Sequence, residues 1–511
     1  MYAVRVGAEL ADRLDAEFYN PVALDAVAQI ESHGSTSTLG KLISEGYRVV
    51  YHGTDSVNGI AEDKLLPFLS PSQIDDQGAI DFDSTDKLPL YYKTDYPKGV
   101  AKPGELLIEV KGNVSKVGVV PDVHPANLMI SGSLYKASFR PETDSRYVLA
   151  FLKSRHGQIL KNRLTSNTII NYIAKDDLYS IPVLVPQGEA QRYIGNKIRA
   201  AERLREWART LDELISVAFS ALVANPLPPK LSWRASVSEI DPYRINPKQY
   251  DPVVLDLIDR ARRSGVRLDA LSQLFGLRGI AGGATPKGAT YFDQGVLFAR
   301  VQNVKPLRLD MSDAVYIDGA ADEELARSRC AADDIILSIT GYPGTASLVT
   351  TEDLPANINQ HSVRFDIREG VCAGYVCAAL NSRFLKFQVD RLAIGGTRDA
   401  LDYPSVCRLL IPRFDVNTEL TIDKSARNFV SSLKLAQRLT FAANALVEAL
   451  IDGAVDEQQL VTAQQRLDAG DDQLDRGILS RLKADGLDGA GSPLFPDLDA
   501  LYELQCQAAQ A

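Results

Sequence analysis

Cysteine and long apolar runs are scarce in this sequence. It contains five cysteines, none before Cys330, and no two of them have CxxC spacing. This pattern excludes a disulfide framework and a structural zinc site, and it predicts free, mostly buried thiols in a reduced compartment. No run approaches the roughly 18 apolar residues of a membrane span, and residues 1–5 lack the features of a signal peptide. We therefore expect a cytoplasmic protein without membrane contact.

Positive charge is in short supply overall but concentrated locally. The net charge is −10, and residues 452–511, with 12 Asp or Glu against 4 Lys or Arg, carry −8 of it. Residues 146–175 contain six bases and no acid, and residues 260–308 contain nine bases and two acids. A local basic face is what phosphate contact needs, so the net charge does not exclude nucleic-acid binding. The alternative for each cluster is an ordinary solvated surface.

The sequence repeats itself after about 230 residues. Residues 13–25 return as 244–256, with Arg, Tyr, Pro, Val, Leu and Asp in register. The repeat continues where residues 104–108 match 333–337, and where Tyr147, Ser154 and Arg163 match Tyr375, Ser382 and Arg391. Two copies at so long a period indicate a duplicated domain, because solenoid units are shorter and more numerous. We expect the two halves to perform the same task on two related targets.

Each half is predicted to end in a long helix. Apolar residues step by three and four from Ile194 to Leu222 and again from Leu420 to Leu450. Such narrow stripes are typical of coiled-coil seams, so we predict that the two helices pair antiparallel and act as a rigid spacer. The stripe residues predicted to bind a partner are Ile194, Ile198, Leu204, Leu211, Leu433, Leu439 and Leu446.

A catalytic constellation is missing from the sequence. The five histidines have no metal-ligand spacing. Glu109-Val110-Lys111 matches the acid-x-Lys part of many nuclease metal sites, but its copy, Ser338-Ile339-Thr340, can neither bind Mg²⁺ nor activate water. We therefore expect this chain not to be an enzyme and to hold no cofactor. An autonomous nuclease that uses Glu109 and Lys111 is the less favoured reading.

The order of these features resembles the specificity (S) subunits of type I restriction-modification systems. The resemblance covers about residues 1–453, and its motifs are RLDAEFYNP at 13–21, IPVLVP at 181–186 followed by EAQRYI at 189–194, and GGATPK at 282–287 leading to VLFARVQNV at 296–304. It implies two target-recognition domains that each read one half of a split double-stranded DNA sequence. The chain departs from the pattern at Asn417-Thr418-Glu419, before the second helix, and in its acidic tail.

The same resemblance implies the partners. Methyl transfer from S-adenosylmethionine would belong to DNA methyltransferase subunits, two for each specificity subunit. A restriction subunit or another phage-defence subunit is a further partner that the family allows.

The fold class predicted is α+β, with two duplicated target-recognition domains separated by a pair of long antiparallel coiled-coil-like helices. The first target-recognition domain is placed at 1–186 and the second at 239–412. The predicted connecting parts are the first helix at 187–224, a proline-rich linker at 225–238, the second helix at 413–453 and an acidic extension at 454–511.

DNA contacts are predicted on loops, because base edges and phosphates are read by polar and basic side chains that project from the fold. The candidates in the first half are Lys111, Asn113, Ser115, Lys116, Arg163, Asn167 and Thr168. Those in the second half are Thr285, Lys287, Arg300, Gln302, Asn303, Thr340, Tyr342, Thr397 and Arg398. Each of these loops is alternatively a plain hairpin turn.

These features predict a non-catalytic DNA sequence-specificity subunit that recognises a bipartite target and directs a partner adenine methyltransferase. The alternative, from a different class, is a duplicated helical scaffold or ligand-binding protein without DNA recognition. Three roles stay open for the acidic tail: a DNA mimic, a contact to a partner's basic groove, or a flexible solubilising segment.

Overall fold

The computed structural model of the chain describes residues 16–51, 55–165, 171–229, 231–237, 240, 246–286, 288, 290–395 and 399–510. The helices are α1 (Pro21–Ser32), α2 (Leu39–Leu42), α3 (Tyr92–Asp95), α4 (Ser145–Lys153), α5 (Arg155–Arg163), α6 (Lys175–Tyr179), α7 (Gly188–Ser220), α8 (Pro252–Arg263), α9 (Gly319–Glu324), α10 (Ala373–Asn381), α11 (Arg383–Leu392), α12 (Tyr403–Arg408), α13 (Val416–Ile451), α14 (Glu457–Asp468), α15 (Gln473–Arg481) and α16 (Leu498–Gln510). Within these ranges no helix is both long and apolar enough to cross a membrane.

The strands are short and fall into several small sheets. They are β1 (Thr36–Thr38), β2 (Ile43–Tyr47), β3 (Leu65–Leu69), β4 (Asp86–Pro89), β5 (Leu106–Glu109), β6 (Lys111–Gly112), β7 (Val117–Val119), β8 (Met129–Ile130), β9 (Leu134–Phe139), β10 (Asn171–Tyr172), β11 (Pro182–Leu184), β12 (Arg267–Ala270), β13 (Phe275–Gly282), β14 (Val296–Ala299), β15 (Val315–Ile317), β16 (Ile335–Ser338), β17 (Ala346–Leu348), β18 (Ala356–Ile358), β19 (Ser362–Ile367), β20 (Leu410–Arg413), β21 (Leu482–Lys483) and β22 (Gly486–Leu487).

The chain divides into two compact units. Unit 1 comprises residues up to 206 and from 433 onward, and unit 2 comprises residues 207–432. Each of the long helices α7 and α13 therefore contributes one part to each unit. The five cysteines are free thiols, of which Cys377 is buried and Cys506 exposed.

The two units share one sheet topology, which confirms the duplication. Unit 1 has a four-stranded sheet of order β2-β9-β5-β7 and a three-stranded sheet of order β4-β3-β8. Unit 2 has β13-β19-β16-β17 and β15-β14-β18 in the corresponding places. Even the parallel pairs correspond, because β3 runs parallel to β8 and β14 runs parallel to β18. A third, two-stranded sheet is β1-β11 in unit 1 and β12-β20 in unit 2.

Much of the repeated sequence serves this fold. The Asn20 side chain accepts a hydrogen bond from the backbone N–H of Val22 at the start of α1, and Asp251 does the same for Val253 at the start of α8. In both cases a proline follows the cap residue, where its fixed φ favours the first helical turn. The part of this motif at 13–15 and its copy at 244–245 lie outside the described residues.

Two buried tyrosines at equivalent positions also stabilise the fold of each unit. The Tyr147 hydroxyl donates to the Leu184 carbonyl at 2.7 Å, and the Tyr375 hydroxyl donates to the Pro412 carbonyl at 2.5 Å. Each bond ties the first helix of a helix pair to the strand that precedes a long helix, β11 before α7 and β20 before α13. Ser154 and Ser382 then cap the second helices, α5 and α11. The repeat thus conserves helix caps and tethers that each unit needs for packing.

The long helices pair antiparallel, as predicted. In unit 1, Arg205 of α7 donates to the Thr440 hydroxyl of α13 at 2.9 Å. The Gln187 backbone N–H, just before α7, donates to Glu457, beyond the end of α13, at 2.8 Å. In unit 2, the ring centroids of Phe219, near the end of α7, and Phe414, just before α13, lie 5.7 Å apart. Within each unit, increasing residue numbers along α7 are therefore matched by decreasing residue numbers along α13.

The acidic extension is folded and belongs to unit 1. Its residues Leu460, Val461 and Ile478 share an apolar core with Ile194 and Ile198 of α7. On the surface of the same contact, Asn196 donates to Gln464 at 2.9 Å, and Arg192 pairs with Asp468. These contacts exclude the flexible solubilising role for the tail.

A buried carboxylate holds the extension in place. Asp475 accepts hydrogen bonds from the Tyr193 hydroxyl at 2.6 Å, from the Lys197 ammonium at 2.5 Å, and from the Tyr502 hydroxyl. Burial of Asp475 opposes its ionisation, but the neighbouring Lys197 charge and these donors outweigh burial and lower the pKa of Asp475. The tail is therefore attached to α7 by a charged hydrogen-bond centre as well as by apolar packing.

Candidate nucleic-acid interface

A tight turn follows β5 in unit 1 and is organised by Glu109. The buried Glu109 carboxylate accepts hydrogen bonds from the backbone N–H groups of Asn113, Ser115 and Lys116 at 3.1, 3.0 and 3.1 Å. Gly112 in this turn has a φ of 122°, which favours glycine. Glu109 is thus occupied by the turn, and in the described parts of the chain no group of three or more His, Cys, Asp or Glu is placed to hold a metal.

Unit 2 builds the equivalent turn, after β16, with a hydroxyl group. The Ser338 hydroxyl donates to the Tyr342 carbonyl at 2.7 Å and accepts from the Thr345 backbone N–H at 3.0 Å. Gly341 and Gly344 adopt φ values of 81° and 97°. Glu109 in unit 1 and Ser338 in unit 2 therefore both stabilise the turn by hydrogen bonds. Because a serine also fills this role, the acid-x-Lys pattern need not be repeated.

A basic and aromatic cluster lies beside the turn of unit 1. Lys111 is exposed and pairs in register with Tyr172 across β6 and β10. The Arg48 guanidinium lies over the Tyr172 ring, 5.3 Å from its centroid, and donates to the Gly132 carbonyl at 2.6 Å. A cation on an aromatic face next to an exposed lysine can contact a phosphate and a base together. Sequence reasoning found Lys111 but missed Arg48 and Tyr172, because only strand pairing brings them to it.

The other candidates of unit 1 are placed less uniformly. Asn113 is exposed at the turn, and Ser115 and Lys116 are half-buried in it. Arg163 lies against Phe18, with its guanidinium 4.1 Å from the ring centroid, and donates to the Phe18 carbonyl at 2.6 Å. The Arg163 guanidinium therefore anchors the segment before α1. Asn167 and Thr168 lie outside the described residues.

In unit 2, polar groups from three loops converge at the corresponding edge. The Thr285 hydroxyl donates to Gln360, and the Thr340 hydroxyl lies 2.6 Å from Nδ1 of His361. Thr340 also forms a bridge with Ala400, just as Lys111 pairs with Tyr172 in unit 1. The structure therefore brings Thr285 and Thr340 together and adds Gln360 and His361, which sequence reasoning missed.

An exposed tyrosine stands at the same turn. Tyr342 follows Gly341 and is 86% exposed, an unusual state for so large an aromatic ring. An exposed aromatic ring on a loop offers a surface on which a base or a sugar can pack. The candidates Lys287, Thr397 and Arg398 lie outside the described residues.

Several solved structures are similar to this chain. A type I restriction-modification S subunit from M. genitalium is 13% identical, with a TM-score of 0.37, and the match covers 86% of this chain and 95% of that chain. An HsdS subunit from Thermoanaerobacter tengcongensis is 15% identical, with a TM-score of 0.26, covering 85% and 96%. A chain from a type I R-M system, in a structure described as showing complex assembly and conformational transition, is 14% identical with a TM-score of 0.29, covering 84% and 96%.

The chain is thus similar in structure to type I S subunits. No family model and no curated protein matches its sequence.

Arg300, Gln302 and Asn303 serve a turn of their own. All three donate to the Asp313 carboxylate, at 3.1, 2.7 and 2.6 Å respectively. The hydrogen bond from Gln302, together with the Arg300 charge and Asn303, lowers the pKa of Asp313. Asn303 is buried, so it supports the fold and does not reach a base edge as predicted. Arg300 and Gln302, which are less buried, are held by Asp313 in this turn.

The predicted partner-binding stripe is in fact internal to this chain. Ile194, Ile198 and Leu446 are buried in the core of unit 1, where residues of α7, α13 and α14 meet. Leu204, Leu211 and Leu439 are also buried, and Leu433 is half-buried. A subunit partner therefore cannot use these side chains without opening the fold. The stripe was predicted correctly as a seam, but its partner is the chain itself.

Several bases of the two sequence clusters are paired with acids in the fold. In the first cluster, Arg146 is buried and bonded to Glu202 and Asp122. In the second, the guanidinium of Arg278 is paired with Asp334 and that of Arg260 with Asp256. These three guanidinium groups are therefore neutralised by nearby acids. At the turn of unit 1, Lys111 and Arg48 are basic candidates for DNA contact.

Gly283 provides a test of the loop geometry in unit 2. A Cβ atom there would lie 2.2 Å from the Ile358 carbonyl oxygen and 2.4 Å from that of Asn359, both backbone atoms. We expect Gly283→Ala to displace the Thr285 loop, to lower the free energy of unfolding by about 1–3 kcal/mol and to weaken DNA binding. Chemical denaturation and a binding titration measure these effects. Gly319→Ala is the matched control, since open space surrounds Gly319; equal effects of the two changes would contradict the prediction.

Proposed function

We propose that this chain is a DNA sequence-specificity subunit that recognises a bipartite target. One observation carries the proposal: the same turn on the same sheet topology occurs in both units and presents different polar side chains. Unit 1 presents Lys111 beside Arg48 and Tyr172, and unit 2 presents Thr340 beside His361 and the exposed Tyr342. Base identity is read by donors and acceptors on such loops, so a duplicated scaffold with different loops suits two different half-sites.

The chain recognises DNA, and a partner performs the chemistry. S-adenosylmethionine binds to a partner adenine methyltransferase, and two such subunits serve the two units. In this chain the Glu109 carboxylate, the acid of the possible nuclease motif, is committed to three backbone N–H groups. This commitment supports a recognition role over an autonomous nuclease.

The proposal is tested by sequencing the methylome of cells that express this chain with its methyltransferase, compared with cells that lack only this chain. We expect loss of methylation at one bipartite motif. Exchange of residues 1–186 with those of a second such protein is expected to change one half-site only, and exchange of residues 239–412 the other. An unchanged methylome would contradict the proposal and favour the scaffold or ligand-binding alternative.

Salt dependence separates DNA binding from the scaffold alternative in vitro. Because phosphate contacts release counterions, the affinity for duplex DNA is expected to fall steeply as salt rises. Replacing Lys111 by Ala is expected to reduce the slope of log K against log salt by about 1. The matched control is Lys41→Ala, which removes another exposed lysine of unit 1 away from the turn. An affinity that does not fall as salt rises, with a slope that Lys111→Ala leaves unchanged, would rule against DNA recognition at this turn.

A further inference from the structure

Arg48 directly follows β2 in unit 1, and its guanidinium group is held in place from two sides. The Nε atom donates a hydrogen bond to the Gly132 carbonyl at 2.6 Å. The guanidinium lies over the Tyr172 ring, 5.3 Å from its centroid, and Nη1 donates to the Tyr172 hydroxyl at 3.4 Å. These contacts fix the plane of the guanidinium in the absence of a ligand, so less conformational entropy is lost when a ligand binds.

Most of the hydrogen-bonding capacity of Arg48 is left over after these contacts. A guanidinium has five N–H groups, and the fold uses one on Nε and one on Nη1. Nη2 has no hydrogen-bond partner among the described residues, and it is accessible to solvent. In the same part of the chain, no acid pairs with this guanidinium. A fork of two N–H groups, one from each terminal nitrogen, is therefore available to a ligand.

The groups that Arg48 leaves unused are all donors, and this selects the kind of base. Guanine presents two acceptors, O6 and N7, side by side in the major groove. Adenine presents one acceptor and one donor there, thymine one acceptor and a methyl group, and cytosine a donor. A fork of two donors is therefore satisfied by guanine alone, and each other base leaves at least one donor unpaired.

The neighbouring Lys111 is suited to a different contact. It is exposed and pairs in register with Tyr172 across β6 and β10. Its ammonium is a point charge on a flexible stem, which suits a phosphate, whereas a guanidinium fixed against a ring and a carbonyl suits the planar edge of a base. The two cations can thus divide the contacts to the DNA backbone and to a base between them.

Unit 2 has different residues at the positions of Arg48 and Tyr172. The registers of the equivalent strands place Gly282 where unit 1 has Arg48, and Ala400 where it has Tyr172. A Cβ atom at Gly282 would lie 1.6 Å from the Tyr403 hydroxyl oxygen, so a side chain fits there only if Tyr403 moves. The arginine is therefore a feature of unit 1 and not a requirement of the shared topology.

We propose that Arg48 reads a guanine in the half-site of unit 1 by donating two hydrogen bonds to O6 and N7, while Lys111 contacts a nearby phosphate. Tyr172 is a positioning residue for the guanidinium group. The inference rests on the proposed function, because it requires DNA at this turn, and it adds one named base to that function.

Methylome sequencing tests the assignment in cells that express the full chain with its methyltransferase. The half-site of unit 1 is the one that changes when residues 1–186 are exchanged. We expect a G·C base pair in this half-site of the native motif. Arg48→Ala is expected to accept all four base pairs at that position and to keep the rest of the motif. A native half-site without any G·C pair would overturn the proposal.

Arg140→Ala is the matched control for this experiment. Arg140 is an exposed arginine directly after β9, at the end of that strand away from Gly132, and its Nε donates to the Lys41 carbonyl at 2.9 Å. Its replacement removes the same charge and should leave the motif unchanged. A chain that directs no bipartite methylation would contradict the proposed function itself. A bipartite motif that Arg48→Ala leaves unchanged would overturn only the guanine contact.

Duplexes that differ only at this position measure the size of the effect. The native chain is expected to bind the G·C duplex about 5- to 150-fold more tightly than the other three. Arg48→Ala should reduce this ratio to about 1. Tyr172→Leu keeps the charge of Arg48 but removes the ring beneath it, and it should lower the same ratio. An equal loss of affinity for all four duplexes in Arg48→Ala would indicate a phosphate contact and would overturn the proposal.

A base analogue tests the contact without any change to the protein. In 7-deazaguanine a C–H group replaces N7, so one acceptor of the proposed pair is lost. The native chain is expected to bind the substituted duplex about 10-fold more weakly, whereas Arg48→Ala should bind both duplexes equally. This measurement remains decisive if Arg48→Ala fails to fold, because unchanged binding by the native chain would by itself overturn the proposal.

Discussion

Replacing Asp475 with alanine is expected to lower the free energy of unfolding of unit 1 by about 3–5 kcal/mol. The carboxylate is buried and receives hydrogen bonds from Tyr193, Lys197 and Tyr502. Its removal leaves the Lys197 ammonium, itself buried, without its ion-pair partner. Because these donors lie on α7 and α16, the acidic extension should also detach. Chemical denaturation measures the first effect and limited proteolysis of residues 454–511 the second.

Glu503→Ala is the control for this prediction. Glu503 is an exposed acid on α16 and bonds to Gln507 one turn later. Its removal takes the same charge from the same tail, and we expect a change within about 0.5 kcal/mol. If Asp475→Ala and Glu503→Ala were alike in stability and in proteolysis, the buried carboxylate would not be what attaches the tail.

Replacing Glu109 with alanine is expected to lower the free energy of unfolding by about 3 kcal/mol, since three backbone N–H groups lose a charged acceptor. The amides of Asn113, Ser115 and Lys116 should then exchange their hydrogens faster, which hydrogen exchange measures directly. DNA binding should weaken as well, because the turn carries Lys111. Ser338→Ala, the equivalent change in unit 2, removes one hydroxyl and should lower the free energy of unfolding by about 1 kcal/mol.

The same variant separates a structural acid from a catalytic one. If Glu109 bound a catalytic metal, its replacement would abolish a nuclease activity. The stability and the hydrogen exchange of the turn would then stay unchanged. We expect Glu109→Ala instead to lower stability and to speed hydrogen exchange in the turn. Unchanged exchange at all three amides in Glu109→Ala would contradict the structural role.

The duplication was predictable from sequence because it rests on local patterns. Asn20-Pro21 and Asp251-Pro252 are helix caps, and Ser154 and Ser382 are caps as well. Capping depends on residues within one turn of each other, so it is visible in the sequence. The same holds for the stripes of α7 and α13, whose spacing is a property of the helix itself.

The candidate site was predictable only in part. Lys111, Thr285, Thr340 and Tyr342 were found because glycine-rich turns after strands are recognisable locally. Arg48, Tyr172, Gln360 and His361 were missed, because strand pairing brings them to the site from distant positions. Asn303 and Arg163 were selected by residue type, yet the fold uses Asn303 to support a turn and Arg163 to anchor Phe18.

The sequence by itself determined the duplication, the helical seams and the glycine turns, since each follows from residues that are neighbours along the chain. Only the tertiary structure decided what the polar side chains do. It made Glu109 a turn acceptor and attached the acidic tail through Asp475. The physical reason is that a charge acts on whatever the fold places within a few ångströms, and that distance is not encoded by spacing along the chain.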